Sequence, residues 1–179
     1  MQREITFAGF GGQGIMTAGQ LLAYSGMEEG KKVVWLPSYG PEMRGGTAYC
    51  TVVISEKPIA SPIINNPIAI AVFNRPSMDK FKDRVKKGGL LIVNSSLIDV
   101  KADRGDIDEL YVPANDIAMK VGNAKATNMV MLGAYIGKVG VVKMDTVKAI
   151  VAKKMASKKQ FLEMNYKALE EGYKLGRKK

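Results

Sequence analysis

The sequence contains no histidine and a single cysteine, Cys50. Histidine and cysteine are the usual ligands of zinc and iron–sulfur clusters, and histidine is the base of most catalytic triads. The chain therefore cannot assemble an iron–sulfur cluster, a typical zinc site or a histidine-based triad from its own residues. A lone cysteine also excludes an intrachain disulfide, and we expect Cys50 to be a small buried residue on a strand.

The sequence also lacks an apolar run long enough to cross a bilayer, and residues 1–4 are not a basic lead-in to an apolar core. We therefore expect no signal peptide, no membrane partner and a cytoplasmic location. No pair of carboxylates has a spacing typical of general acid–base catalysis, so we predict no catalytic residue and no metal site on this chain. With 179 residues, of which 46% are hydrophobic, the chain is most simply one domain, residues 1–179.

Positive charge is concentrated in the carboxy-terminal third. Residues 1–119 contain 13 basic and 13 acidic residues, whereas residues 120–179 contain 14 basic and 4 acidic residues, which accounts for the net charge of +10. Such an excess can attract nucleic acid, a membrane surface, an anionic ligand or an acidic protein. Because the lysines are scattered over predicted helices without a nucleic-acid-binding motif, we expect no nucleic-acid partner. We favour solvated helix faces, with an acidic partner subunit as the alternative.

Hydrophobic patterns predict alternating strands and helices. A first strand is predicted near Ile5, followed by strands at residues 32–36, 47–55, 68–73, 90–93 and 110–112. Helices are predicted at residues 15–29, from Pro76 to Gly88, after Pro113, at 126–138, and twice more near the carboxy terminus. This alternation predicts an α/β fold, a three-layer Rossmann-like domain with a mainly parallel sheet and a helical carboxy-terminal part.

Two details of the predicted helices can be tested against a structure. Gly133 and Gly137 would let another element pack close against the helix at residues 126–138. Ser157 and Gln160 match a capping box, which predicts that the last helix begins there.

A glycine-rich turn joins the first predicted strand to the first helix. Gly9, Gly11 and Gly14 match G-x-G-x-x-G in the strand–turn–helix context. Such a turn lets a phosphate approach the backbone and the positive end of the helix dipole. The match predicts a phosphate-bearing ligand, and the alternative is a turn that serves packing alone.

Two common nucleotide sites do not fit this turn. A Walker A loop requires Lys and then Ser or Thr after its second glycine, whereas Ile15 and Met16 follow Gly14. A dinucleotide site requires an acidic residue about 20 positions further on, at the end of the next strand. The strand predicted at residues 32–36 ends instead in Pro37, so orthodox NAD binding is disfavoured.

The polar insertion at residues 37–46 follows the second predicted strand, at the sheet edge where open α/β sheets bind their ligands. Arg44 carries a planar guanidinium suited to phosphate or carboxylate, and its neighbours supply hydroxyl groups and room for the backbone to approach. The candidate binding residues are Ser38, Tyr39, Arg44, Gly45 and Gly46. The alternative is a loop held by its own Tyr39 and prolines, with Arg44 paired to Glu42 or in water.

Three segments together resemble a known family. They are residues 9–14 (GFGGQG), 38–46 (SYGPEMRGG) and 128–133 (NMVMLG). The chain is similar, over nearly its whole length, to the gamma subunit of 2-oxoacid:acceptor (ferredoxin) oxidoreductases. The residues PEMRGG look most like the 2-oxoglutarate branch of that family.

The resemblance implies a multisubunit enzyme that converts a 2-oxoacid, coenzyme A and an oxidised acceptor into acyl-CoA, carbon dioxide and reduced acceptor. It implies alpha and beta subunits as partners, with a ferredoxin-like delta subunit as a further candidate. Thiamine diphosphate and iron–sulfur clusters would lie on the partners, while this chain would serve the coenzyme A side and assembly. The binding residues that the resemblance implies are Gly9, Gly11, Gly12, Gln13 and Gly14 in the first turn and Ser38, Tyr39, Arg44, Gly45 and Gly46 in the second loop. The resemblance assigns no role to Asn128. Two alternatives remain, a free-standing nucleotide-binding oxidoreductase and an assembly subunit that binds no small molecule.

Overall fold

The computed structural model describes residues 1–38 and 47–178. In that part of the chain, six strands form one sheet: β1 Gln2–Phe10, β2 Lys32–Ser38, β3 Thr47–Ser55, β4 Ala69–Val72, β5 Leu90–Asn94 and β6 Asp108–Val112. Their spatial order is β2-β3-β1-β4-β5-β6. The β1–β4, β4–β5 and β5–β6 pairs are parallel, whereas β3 is antiparallel to both of its neighbours. The predicted α/β fold with a mainly parallel sheet is confirmed.

The position of β3 decides which strand ends lie together. Since β3 is antiparallel to both β1 and β2, those two strands run in the same direction. The carboxyl end of β2, at Ser38, therefore lies at the same sheet edge as the carboxyl end of β1, at Phe10. The register places Ser38 opposite Tyr49 and Tyr49 opposite Ala8. Ser38 is thus two strand spacings, roughly 10 Å, from β1.

Helices cover both faces of the sheet. They are α1 Ile15–Glu28, α2 Arg75–Phe81, α3 Ala114–Lys120, α4 Thr127–Val139, α5 Met144–Lys154 and α6 Leu162–Arg177. The larger core lies between the sheet and the side formed by α1, α4 and the carboxy-terminal helices. The smaller core lies on the other face, where Met78 and Phe81 of α2 pack against Ile70, Val72 and Leu91. The predicted three layers follow from these two cores.

Helices α4 and α6 are in direct backbone contact through four glycines. A Cβ atom at Gly133 or Gly137 of α4 would overlap a carbonyl oxygen of α6, and one at Gly172 or Gly176 of α6 would overlap a carbonyl oxygen of α4. Only glycine permits this approach, because any side chain would separate the two helices. The close packing predicted for Gly133 and Gly137 is confirmed, and its partner is α6.

The predicted capping box is wrong. Ser157 and Gln160 lie in a 3₁₀ segment, Ala156–Phe161, in which Lys158 has non-helical φ and ψ of −130° and 42°. Helix α6 begins only at Leu162, and its N-cap, Phe161, makes no side-chain cap hydrogen bond. The break at Lys158 separates Ser157 from the helix that it was expected to cap.

The helix predicted from Pro76 to Gly88 is shorter than expected. Its N-cap is Asn74, α2 ends at Phe81, and a 3₁₀ turn covers Lys82–Arg84. Val85 then adopts an extended conformation with φ −61° and ψ 125°, and it is buried in the smaller core. Packing of Val85 against that core therefore replaces the last helical turns.

Cys50 is fully buried on β3 with a free thiol, as predicted. Burial raises the pKa of the Cys50 thiol to about 12. Over residues 1–38 and 47–178, none of the helices has the length and the apolar character needed to span a bilayer.

Candidate functional site

The glycine-rich turn lies between β1 and α1 at the carboxyl edge of the sheet. Gly12 and Gly14 have φ values of +95° and +76°, a left-handed conformation that favours glycine. Gly14 is the N-cap of α1, and the first turn of α1 has neither a side-chain cap hydrogen bond nor an acidic residue. The first backbone N–H groups of the helix and the positive end of its dipole are therefore available to an anion.

Gln13 holds the turn together through its side chain. Its Oε1 accepts hydrogen bonds from the Phe10 backbone N–H at 2.7 Å and from Asn74 Nδ2 at 2.8 Å. A Cβ atom at Gly9 would lie 2.6 Å from the same oxygen, so glycine at that position leaves space for the Gln13 side chain. The Gln13 carbonyl group thus serves the shape of the turn. The backbone at Gly11 and Gly12, which are exposed, is the part that a ligand can approach.

Asn128, at the start of α4, also contacts the glycine-rich turn, at Gly14. Its Nδ2 donates a hydrogen bond to the Gly14 carbonyl oxygen at 3.2 Å, and the same oxygen accepts the backbone N–H of Ala18 at 2.9 Å. A Cβ atom at Gly14 would lie 2.5 Å from Asn128 Nδ2. Asn128 therefore occupies the space that a side chain at position 14 would need, and it positions the N-cap of α1.

Buried asparagines connect the neighbouring strand ends. Asn74 caps α2 through a hydrogen bond from the Ser77 N–H to its Oδ1 at 2.9 Å. Asn94, at the end of β5, donates through Nδ2 to the Phe73 carbonyl at 3.1 Å and to Asn115 Oδ1 at 2.8 Å. These amides link the carboxyl ends of β4, β5 and β6, and through Gln13 they reach the glycine turn.

The sequence interpretation missed Asn74 and Asn94. Each follows directly on an apolar strand run, ending at Phe73 in one case and Val93 in the other. An asparagine directly after each of two successive buried strands predicts that the two amides lie near each other, because the carboxyl ends of parallel strands meet at one edge of the sheet.

Ser38 is the one predicted residue of the second loop that the structure describes, and Tyr39, Arg44, Gly45 and Gly46 lie outside the described residues. Ser38 lines a cavity of about 230 Å³ on the face of β2, β3 and β1, together with Thr6, Tyr49, Thr51 and Arg84. The hydroxyl groups of Thr6 and Thr51 are hydrogen-bonded to each other at 2.8 Å. Ser38 and the glycine turn share an edge of the sheet, with β3 between them.

Potential metal ligands are dispersed over the described ranges. No group of three or more His, Cys, Asp and Glu side chains there could hold a metal ion.

A known protein family matches almost all of the chain. Its description is Pyruvate ferredoxin/flavodoxin oxidoreductase, and it matches residues 4–175. The chain belongs to this family. The resemblance stated from the sequence segments is confirmed.

Relatives in the pyruvate ferredoxin/flavodoxin oxidoreductase family differ in length. The chain is 32% identical over 180 residues to a 2-oxoglutarate synthase subunit KorC from Methanocaldococcus jannaschii, which covers 99% of this chain and 95% of the relative. It is 37% identical over 171 residues to a ketoisovalerate oxidoreductase subunit VorA from Methanothermobacter thermautotrophicus, covering 94% of this chain. The chain spans only 35–37% of the length of two such VorA subunits.

Two solved structures share the fold of this chain. The gamma subunit of a keto/oxoacid ferredoxin oxidoreductase from Geobacter sulfurreducens has a TM-score of 0.85 and 31% identity, with 97% of this chain and 98% of that chain covered. A 2-oxoglutarate:ferredoxin oxidoreductase from Magnetococcus marinus, solved with 2-oxoglutarate, coenzyme A and succinyl-CoA bound, has a TM-score of 0.90. At 23% identity, over 98% of this chain and 31% of that one, this second likeness shows the fold alone.

Proposed function

We propose that this chain is the gamma subunit of a multisubunit 2-oxoacid:ferredoxin oxidoreductase. The complex would convert a 2-oxoacid, coenzyme A and an oxidised acceptor into acyl-CoA, carbon dioxide and reduced acceptor. Family membership supports this proposal, as does the match to a KorC subunit of nearly the same length. The alpha and beta subunits, with a ferredoxin-like delta subunit as a further candidate, would be its partners.

The geometry of the glycine turn is the observation that supports a role for this chain in binding coenzyme A. Coenzyme A is rich in phosphate, and the turn offers a helix N-terminus without a carboxylate in its first turn. Gly9, Gln13 and Asn128 give the turn its shape, so that the exposed backbone at Gly11 and Gly12 can approach a phosphate. The proposed binding residues of the second loop are Ser38, Tyr39, Arg44, Gly45 and Gly46.

The proposal assigns thiamine diphosphate and iron–sulfur clusters to the partner subunits. These groups would supply the carbon–carbon cleavage and the transfer of electrons. An iron–sulfur cluster does not fit this chain, because it has no histidine and its one cysteine is Cys50. That thiol is buried, and burial raises its pKa to about 12, which disfavours the thiolate that a cluster requires.

We propose 2-oxoglutarate as the substrate, on the residues PEMRGG at positions 41–46. The relatives divide among substrates, since KorC, VorA and PorC subunits are 32%, 37% and 30% identical to this chain. Ketoisovalerate is the second candidate, because two VorA subunits match at 35–37% identity.

Affinity purification of the tagged chain from its native host, followed by mass spectrometry, tests the assembly. We expect thiamine-dependent alpha and beta subunits to co-purify. Purification of the folded chain without them would contradict the proposal. The purified complex can then be assayed with 2-oxoglutarate, ketoisovalerate and pyruvate in turn, and the substrate with the highest kcat/KM identifies the branch. The cytoplasmic location expected from the sequence stays a prediction.

A further inference from the structure

A second cavity, of about 210 Å³, opens at the amino edge of the sheet, opposite the glycine turn. Its wall contains the first residues of β4, β5 and β6 and the last turn of α4. The polar side chains that line it are Arg3, Asp108, Tyr135 and Lys138. Strands β4 and β5 separate this cavity from the carboxyl edge by roughly 15 Å. It is therefore distinct from the site proposed for coenzyme A.

Tyr135 is the buried polar group of this cavity. Its side chain is 1% exposed, and its ring packs edge-on against Phe7 with a centroid distance of 6.4 Å. Burial raises the pKa of Tyr135, so its hydroxyl stays protonated and can donate a hydrogen bond at neutral pH. Within residues 1–38 and 47–178, the hydroxyl has no protein hydrogen-bond partner, although its residue lines the cavity. Among the described residues, the sealed side-chain polar atoms without a partner belong to Trp35 and Ser77, so the Tyr135 hydroxyl instead opens onto the cavity, where it can donate a hydrogen bond to a ligand.

Two cations line the same cavity as this hydroxyl. Neither Arg3 nor Lys138 forms an ion pair in the part of the chain that the structure describes. Asp108 lines the same cavity, so the lining side chains carry two positive charges and one negative charge. The Glu4 carboxylate, which does not line the cavity, helps to raise the pKa of Tyr135. The C-terminal end of α4 also adds negative potential, which Lys138 in the last turn of that helix offsets.

We propose that this amino-edge cavity binds a small oxyanion, a carboxylate or a phosphate, held by Arg3, Lys138 and the Tyr135 hydroxyl. The guanidinium of Arg3 can bind such a group through two parallel N–H donors, and the hydroxyl supplies a third donor. The oxyanion comes either from a free small molecule or from an acidic side chain or C-terminus of a partner subunit. The chemistry is the same in both cases.

The test uses the full chain with ¹³Cζ-labelled tyrosine, titrated with inorganic phosphate and separately with acetate at constant ionic strength. The Tyr135→Phe variant keeps the ring on Phe7 and identifies the Tyr135 resonance among the seven tyrosines. We expect that resonance to shift saturably. Arg3→Gln and Lys138→Gln should each weaken binding by about tenfold, whereas calorimetry of Tyr135→Phe should show a loss of about two- to tenfold. Lys101→Gln, which removes an exposed cation away from this cavity, is the matched control and should leave the affinity unchanged.

Comparing the isolated chain with the assembled complex distinguishes a free oxyanion from a carboxylate of a partner subunit. If the isolated chain and the assembled complex both respond, the oxyanion is a free molecule. If the isolated chain responds and the complex does not, a partner carboxylate occupies the cavity. This second comparison rests on the proposed function, whereas the titration of the isolated chain does not. No saturable shift with either anion in the isolated chain, or an equal loss of affinity in Lys101→Gln, would overturn the proposal.

Discussion

Asn128 donates a hydrogen bond from its side-chain amide to the carbonyl oxygen of Gly14, although 114 residues separate the two in the sequence. The bond joins the start of α4 to the N-cap of α1, at the point where the glycine turn would face a ligand. Helix α4 is itself in backbone contact with α6 through four glycines. Helix α4 therefore contacts the candidate anion site through a hydrogen bond, and α6 packs directly against α4.

Replacing Asn128 tests this connection. Asn128→Ala removes a part-buried hydrogen bond to Gly14 and the buried side chain that makes it, so we expect the free energy of unfolding to fall by about 1–3 kcal/mol in urea denaturation. Asn66→Ala, at an exposed position, is the control and should change stability by no more than about 0.5 kcal/mol. Equal stabilities of the two variants would mean that the bond contributes nothing.

Gly14 and Gly30 form a matched pair of left-handed glycines, with φ values of +76° and +73°. Alanine at either position should cost about 1–2 kcal/mol because of the backbone conformation alone. A Cβ atom at Gly14 would also lie 3.0 Å from Asn128 Cβ, whereas one at Gly30 meets nothing within 4 Å. We therefore expect Gly14→Ala to be less stable than Gly30→Ala by roughly a further 1–3 kcal/mol in the same denaturation assay. A difference near zero would show that Asn128 moves away without cost.

The close contact between α4 and α6 predicts that one added methyl group at Gly133 strongly lowers the stability of the protein. Gly133→Ala places a Cβ atom against the Leu169 carbonyl oxygen, a backbone atom that cannot move without shifting α6. We expect a loss of roughly 1–3 kcal/mol in unfolding free energy, despite the higher helix propensity of alanine. Gly105→Ala, where a Cβ atom meets open space, is the control. Stabilisation of Gly133→Ala would contradict the close packing.

Burial of the Cys50 thiol predicts that the stability of the protein depends on pH in alkaline solution. The pKa of its thiol is 9.0 when the side chain is in water, as in the unfolded chain, whereas burial in the folded chain raises that pKa to about 12. Between these values the unfolded state binds fewer protons, so stability falls as pH rises, by at most about 1.4 kcal/mol per pH unit. Urea denaturation from pH 8 to roughly pH 11 should show a steeper loss for the wild type than for Cys50→Ala. The other titrating groups are common to both proteins, and parallel curves would refute the assignment.

Arg44 carries a prediction that rests on sequence and on the proposed function. If Arg44 binds a phosphate of coenzyme A, Arg44→Ala should weaken the use of coenzyme A by about one to two orders of magnitude. Arg44→Lys should recover only part, because an ammonium group cannot make the paired contacts of a guanidinium. Complex yield by size-exclusion chromatography is measured alongside the KM for coenzyme A. An Arg44→Ala complex that assembles fully with an unchanged KM would remove Arg44 from the site.

Local patterns were sufficient for much of this protein. The strand, glycine turn and helix around Gly9–Gly14 and the buried strands could be predicted, because each depends on residue types and short-range periodicity. The close packing at Gly133 and Gly137 was predicted for the same reason, although its partner was not.

Contacts between distant residues decided the rest. Only the fold inserts β3 between β1 and β2, directs the Gln13 side-chain oxygen to Phe10 and Asn74, and brings Asn128 to Gly14. The capping box at Ser157 failed because the backbone at Lys158 breaks before the last helix starts. Short-range sequence patterns encode propensity, turn chemistry and composition, whereas hydrogen bonds across more than a hundred residues exist only once the strands and helices have packed.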